Sequence, residues 1–271
     1  MRARNVALVS AVLLAVALQA GADVITLEDQ NAIAKFDPAS SNGMYSWTID
    51  GVEHLYQQWF WYRIGSAGAE MPLNNLLLNA TTPVDTNGDG DYDFLILQYK
   101  GSGLQVDLKF ILTGADLGSH TADMAETITI KNTSAASIAL HFYQFCDLDL
   151  NNTPYNDTVE IRDGARAFQS DPLGGWASET VATAITGPPS HHEAGDAGSI
   201  LAKLTDASPT DLSDATGPFT GDAAWSFQWD FNLGSGKSVL ISKDKLIVPE
   251  PAAMSLLAVG GLALIVRRRR K

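Results

Sequence analysis

The stretch from Trp225 to Leu233 constrains the fold most. Trp225, Phe227, Trp229, Phe231 and Leu233 alternate with Ser226, Gln228, Asp230 and Asn232. Successive side chains of a strand point to opposite faces, so only an extended chain places all five bulky groups on one surface. Gly234-Ser235-Gly236 then turns the chain, and Lys237 to Val248 runs back as a partner strand. The run Gly234-Ser235-Gly236-Lys237-Ser238 imitates the end of a phosphate loop. That motif needs glycine where Phe231 stands and a helix after the lysine, so a hairpin turn is the reading.

The same alternation recurs. Leu104, Val106, Leu108 and Phe110 interleave with Gln105, Asp107 and Lys109, which sends one face to a core and the other to water. Further strands are expected over 24–35, 44–50, 54–64, 76–78, 93–100, 125–131 and 137–148. Shorter ones are expected at 158–162, 166–170, 179–185 and 200–204, with a single helical turn at 209–215. No segment of the body shows a sustained helical period. Strands separated by Gly and Asn turns predict an all-β chain folded as an antiparallel β-sandwich. Tyr56, Trp59, Phe60, Trp61 and Tyr62 crowd one strand. They suit a sandwich core, and the same density could build a platform for stacking sugars.

Two apolar stretches lie outside this pattern. Arg2 and Arg4 precede the apolar run Val6 to Leu18, and Ala20-Gly21-Ala22 is a small-residue cleavage site. The order is that of a secretory signal peptide, cut by signal peptidase between Ala22 and Asp23. At the other end, Val248-Pro249-Glu250-Pro251 precedes the apolar run Ala252 to Val266 and then Arg267, Arg268, Arg269, Arg270 and Lys271. As a helix the run would extend roughly 22 Å, short of a ~30 Å hydrocarbon core, and snorkelling arginines could close the gap. The cations would stay cytoplasmic and the rest of the chain would lie outside.

Pro-Glu-Pro, greasy segment and basic stop, in that order, resemble the PEP-CTERM sorting signal of bacterial surface and secreted proteins. The resemblance covers 248–271. It implies recognition by exosortase near Pro249-Glu250-Pro251, a sorting role for that motif, and a setting rich in extracellular polysaccharide. An ordinary C-terminal anchor would give the same topology. The expected organisation is a signal peptide (1–22), a β-sandwich body (23–247) and a sorting signal (248–271). The expected location is the cell envelope, cell surface or extracellular matrix, with a single transmembrane helix as a transient inner-membrane anchor. The body is also similar to the uncharacterised β-rich bodies attached to such tails, to which no activity is tied.

Between the two ends the body carries 30 acidic against 11 basic side chains, a net charge of −19. Such a surface repels nucleic acid and tolerates or attracts divalent cations. Cys146, the one cysteine, precludes an internal disulfide. It shares strand parity with Ile138, Leu140 and Phe142 and is read as a buried structural thiol.

Asp85, Asn87, Asp89, Asp91 and Asp93 place oxygens at alternate positions, with Gly90 sixth in the loop. This resembles the calcium loop of EF-hand and dockerin proteins through its ninth position, which makes calcium the expected cofactor. The resemblance stops at the twelfth, where Ile96 replaces an acidic ligand. A solvated acidic turn is the competing reading. A second cluster holds Asp147, Asp149, Asn151, Asn152 and Asp157, with the first two on one face of a strand end. It reads as a charged strand end, a second cation site, or a carboxylate pair of glycosidase type. His191-His192-Glu193 offers metal-binding side chains, but adjacent ligands on a loop make a poor cage. Zinc-protease and serine-hydrolase motifs are absent. The chain is therefore expected to be a noncatalytic secreted or surface protein, structural, adhesive or polysaccharide-associated. The alternative is a surface polysaccharide hydrolase or lyase.

Overall fold

A computed structural model describes residues 23–248. The expected signal peptide through Ala22, and the sorting signal with its transmembrane helix from Pro249 onward, lie outside the described residues. Within them no helix is long and apolar enough to cross a membrane.

Two nine-stranded sheets form the expected sandwich. In spatial order the first contains Ile25–Asp29, Ala32–Asp37, Gly43–Ile49, Leu55–Ile64, Ile138–Leu148, Ala223–Leu233 and His191–Asp196. Two short strands lie off this path: Val52–Glu53 pairs with Gly43–Ile49, and Met71–Pro72 with Leu55–Ile64. The second runs Phe219–Gly221, Asp157–Arg162, Arg166–Ser170, Trp176–Val181, Ser238–Val248, Ala122–Asn132, Leu104–Thr113, Phe94–Gly101 and Leu77–Val84. Neighbours pair antiparallel except for a short parallel contact between Gly43–Ile49 and Leu55–Ile64. There Gly43 adopts φ +58°, and a Cβ on it would sit 2.1 Å from the Trp59 ring. Only glycine permits that turn and that approach.

Alternation survives intact where one face meets solvent. Along Leu104–Thr113 the even-numbered residues are buried, and the rest face outward. The central strands of the first sheet are buried on both faces, from Gln57 to Arg63 and from Phe142 to Leu148. The reason is a cover. Residues 206–214, most of them within the 209–215 stretch where a helical turn is expected, instead run irregularly across the outer face. Tyr143 donates to the Thr210 carbonyl (2.7 Å), Thr210 N–H donates to Glu70 (2.8 Å), and Leu212 N–H donates to Gln228 (2.9 Å). Beneath it Arg63 Nε and Glu70 form a buried ion pair at 2.9 Å.

Between the sheets lies a second surprise. Glu126, Glu179, Lys243 and Lys245 are all 0–2 % exposed. Glu126 is the register partner of Lys243, and Glu179 that of Lys245. Lys243 Nζ lies 2.6 Å from Glu126 and 3.5 Å from Glu179, and Lys245 Nζ 3.1 Å from Glu179. From the opposite sheet Gln58 donates to Glu126 and Gln144 to Glu179, each at 2.8 Å. Burial alone would raise the Glu179 carboxyl, but the two ammonium groups overcome it and hold Glu179 below its ordinary range. Two negative and two positive charges thus cancel inside the core.

Further local expectations change, among them the strand expected at 179–185, which runs Trp176–Val181 and gives way to a helical turn at Thr183–Thr186. The strand expected over 24–35 is a hairpin, bent at Gln30 (φ 51°), where no Gly or Pro marks the turn. The strand expected at 200–204 is part of the helix Ala197–Thr205, capped by Asp196, which accepts Ser199 N–H at 2.8 Å. Finally, His191–Asp196 is a strand, not a loop. As expected, the last strand reaches Val248, so the sandwich overlaps the start of the sorting motif. Val248, first residue of the sorting motif, is the register partner of Trp176.

Candidate functional site

The strand Ile138–Leu148 ends in the sequence Asp147-Leu148-Asp149, and spacing by two sends both carboxylates to one side. Antiparallel pairing sets Asp147 opposite Ala224, so Asp222, just before that strand, arrives beside them. One oxygen from each of Asp147, Asp149 and Asp222 lies within 4.8 Å of the others. Asp149 is held by its backbone, its N–H donating to the His54 carbonyl at 3.0 Å.

The trio sits in a cleft of two lobes, of about 370 and about 410 Å³, which share Tyr56 and Asp149. The first lobe is also lined by Phe145, Tyr155, Leu201 and the other two aspartates. The second adds Tyr45, Glu53, Gln57 and Asn152. Tyr56 and Tyr155 are 63 % and 77 % exposed, so both rings stand open to the cleft and to solvent. Trp59 and Trp61, by contrast, are fully buried. Only Tyr56 of the expected aromatic platform faces the site.

Electrostatics in the cleft are one-sided. Burial, then Asp149, Asp222, Asp157 and Asp196, push the Asp147 carboxyl up to about 8. Burial and then Asp222 and Glu53 raise Asp149 to about 6. Asp222 is raised by burial and by Asp196. Among the described residues, the charged groups that act most on Asp147 are all negative. The nearby imidazole of His54 does not help, because burial holds it near 4.

The other members of the expected acidic cluster do different work. Asp157 is buried behind the cleft, accepting Leu150 N–H at 3.0 Å and Gln169 Nε2 at 2.6 Å. Asn151 donates to the Gly174 carbonyl at 2.6 Å. Asp222, which completes the trio, is remote from Asp147 in sequence and carries no local signal.

The loop expected to take calcium is tied to itself. Asp85 accepts Gly88 N–H (2.6 Å) and Gly90 N–H (3.0 Å), Asn87 accepts Asp89 N–H (3.0 Å), and Asp89 accepts Asp91 N–H (3.0 Å). Asp93 is buried, and its two oxygens take Thr86 N–H and Thr86 Oγ1 at 2.9 and 2.7 Å. Asn87 also reaches Asp29 at 3.1 Å. Ile96 lies in the strand Phe94–Gly101 and supplies no oxygen ligand.

His191, His192 and Glu193 lie along an edge strand and already have partners, with His192 Nδ1 3.8 Å from Asp214. His191 faces Asp214 at 3.0 Å, while Glu193 pairs with Lys203. A further group, His141, Asp211 and Asp230, also lies within 4.8 Å. Its members are already partnered: His141 Nδ1 lies 2.7 Å from Asp230, and Asp211 lies 3.5 Å from Arg63. Cys146 is fully buried, and burial pushes its thiol up to about 12. That is an inert core group.

Residues 248–271 match the family model of the PEP-CTERM protein-sorting motif. No curated protein matches the chain. Several solved structures share its sandwich. A bacterial glucoamylase complexed with acarbose aligns with a TM-score of 0.53 at 8 % identity, over 86 % of this chain and 32 % of that one. The chain therefore spans about a third of that enzyme's length. The Slr1438 protein of Synechocystis sp. PCC 6803 aligns with a TM-score of 0.50 at 9 % identity, over 84 % and 96 % of the two chains. At such identities the likeness establishes the fold alone.

Proposed function

We propose that this chain, which carries a PEP-CTERM sorting motif, displays a noncatalytic sandwich that binds polysaccharide at the envelope. The motif implies an exported, cell-envelope protein processed by exosortase. The observation that carries the binding reading is the open cleft flanked by Tyr56 and Tyr155. Exposed aromatic rings beside acidic oxygens offer a sugar both a stacking face and acceptors for its hydroxyls.

The noncatalytic part rests on spacing. Retaining glycosidases hold their two carboxyl groups about 5–5.5 Å apart and inverting ones about 6.5–9.5 Å. Here one oxygen from each of three carboxylates lies within 4.8 Å of the others, a crowded cluster of like groups and not an isolated pair flanking a bond. Such a cluster suits a shared cation better than a separated acid and base.

The second reading is a surface hydrolase or lyase. What favours it is the raised Asp147 carboxyl beside the more acidic Asp149, an acid and a base in one cleft. Incubating the full chain with a panel of neutral and anionic polysaccharides separates the two. Retention on an affinity gel without new reducing ends or unsaturated products supports binding. Turnover that Asp147→Asn abolishes would establish the enzyme instead.

A further inference from the structure

We propose that Asp147, Asp149 and Asp222 hold one hard divalent cation, calcium, in the cleft, a site separate from the Asp85–Asp93 loop. The proposal does not depend on polysaccharide binding.

Spacing comes first. Calcium takes oxygen ligands at roughly 2.3–2.6 Å, so two oxygens on one ion stand at most about 5 Å apart. The three carboxylates meet that limit at 4.8 Å, with no side chain moved. They come from a strand end, the turn after it and the bend just before a neighbouring strand, so an ion would tie three segments together.

An independent observation is the state of Asp147. It is only 5 % exposed, it lines the cleft, and its Oδ1 is buried without a hydrogen-bond partner. Buried polar atoms are nearly always paired, and an unpaired buried carboxylate is costly. Glu70, Glu126 and Glu179 also leave one buried oxygen each without a hydrogen bond, but each of those carboxylates has a cation beside it, Arg63 for Glu70 and the two lysines for Glu126 and Glu179. Around Asp147 the described neighbours Asp149, Asp157, Asp196 and Asp222 only add negative charge. A cation is what the geometry lacks.

The donors choose the metal. Three carboxylates with no histidine or cysteine favour calcium or magnesium over zinc or copper. Asp149 and Asp222 are half-buried, which leaves the cleft side open for further ligands such as water.

The test uses the full chain, stripped with a chelator and titrated with calcium chloride, with magnesium chloride in parallel. Calcium at about a hundred times its Kd should raise the melting temperature by roughly 5–10 °C. Asp149→Asn and Asp222→Asn should each weaken the calorimetric affinity at least tenfold, whereas Asp89→Asn and Asp91→Asn should not. Terbium provides a second readout that needs no aspartate variant. Tyr56 and Tyr155 line the cleft, and Tyr92 belongs to the Asp85–Asp93 loop. Replacing Tyr155 and Tyr56 with leucine should remove the sensitised emission that calcium displaces, and Tyr92→Leu should spare it. Two results would overturn the site: no calcium response, or a response lost with Asp89, Asp91 and Tyr92 and kept without Asp149, Asp222 and Tyr155.

Discussion

Two groups of buried carboxylates sit on opposite faces of the same strand. Gln144 reaches inward to Glu179, which shares Lys243 and Lys245 with Glu126. Three residues on, Asp147 turns outward to Asp149 and Asp222, where no basic side chain meets it among the described residues. The first group holds its own counter-charges in register across neighbouring strands. The second presents oxygens in a cleft open to solvent. Charge balance therefore separates a group that fixes how the sheets stack from a group built to meet something mobile. Removing a partner should hurt the first group and help the second.

The largest effect is expected at Lys243. Lys243→Met leaves two buried carboxylates with one ammonium, and breaking a buried pair this way costs about 3–5 kcal/mol. Urea denaturation of the purified chain measures it. Replacing all four charges together with apolar residues of similar volume should recover most of that loss. A cost under about 1 kcal/mol for Lys243→Met would mean that the core network is solvated, and the contrast with the cleft would disappear.

His54 comes next. It lies behind the cleft, accepts Asn151 N–H at 3.2 Å, and is 5 % exposed. Burial lowers it to about 4 from 6.5, although Glu53 and Asp171 favour its charged form and His120 opposes it. A folded value below the unfolded one means that the unfolded chain takes the proton first. The stability that neutral His54 contributes is present above about pH 6.5 and lost as pH falls toward about 4. The full difference is about 3 kcal/mol. His54→Gln should remove that slope, read as the difference between variant and wild type, since the raised cleft aspartates contribute a slope of opposite sign. Equal slopes would show that His54 protonates as freely in the folded chain as in the unfolded one, and that burial behind the cleft does not set its charge.

How much of this contrast is visible in the sequence depends on what sets each position. Alternation over 104–110 and 225–233 reports solvent on one side and core on the other, so those strands are legible. Ile241, Lys243, Lys245 and Ile247 share a face, and there the parity itself is the clue. Lysines in a row of isoleucines look like a broken pattern until Glu126 and Glu179 are seen opposite them. Pairing across strands decides that, and one strand's sequence does not contain it. The same holds for Asp222, brought to Asp147 by the Ala224 register. Two signals were present and outweighed. Asp196 with Ser199, followed by Ile200 and Leu204 four apart, is a capped amphipathic turn. Its shortness hid it among strands. Likewise, the repeated oxygens of Asp85–Asp93 fit a metal loop and an Asx-turn ladder equally well, because both use short carboxylates to organise backbone N–H groups.

Asp147→Asn gives the smallest stability change and the most specific one, because its sign should depend on the medium. In chelator above about pH 8, where the Asp147 carboxyl is ionised, the amide keeps the shape, removes one of three crowded negative charges and supplies a donor to its neighbours. The variant should be more stable than wild type by about 1 kcal/mol. In excess calcium the wild type gains the binding free energy of an ion that the variant holds weakly, so the order should reverse. Thermal melts of both proteins in both media form a four-point cycle. A variant less stable in both would mean that Asp147 is a structural carboxylate like Glu126. A variant equally more stable in both would mean that the trio repels but does not bind. Only a crossing of the two orders distinguishes an unpaired cluster from one that takes its missing charge from outside.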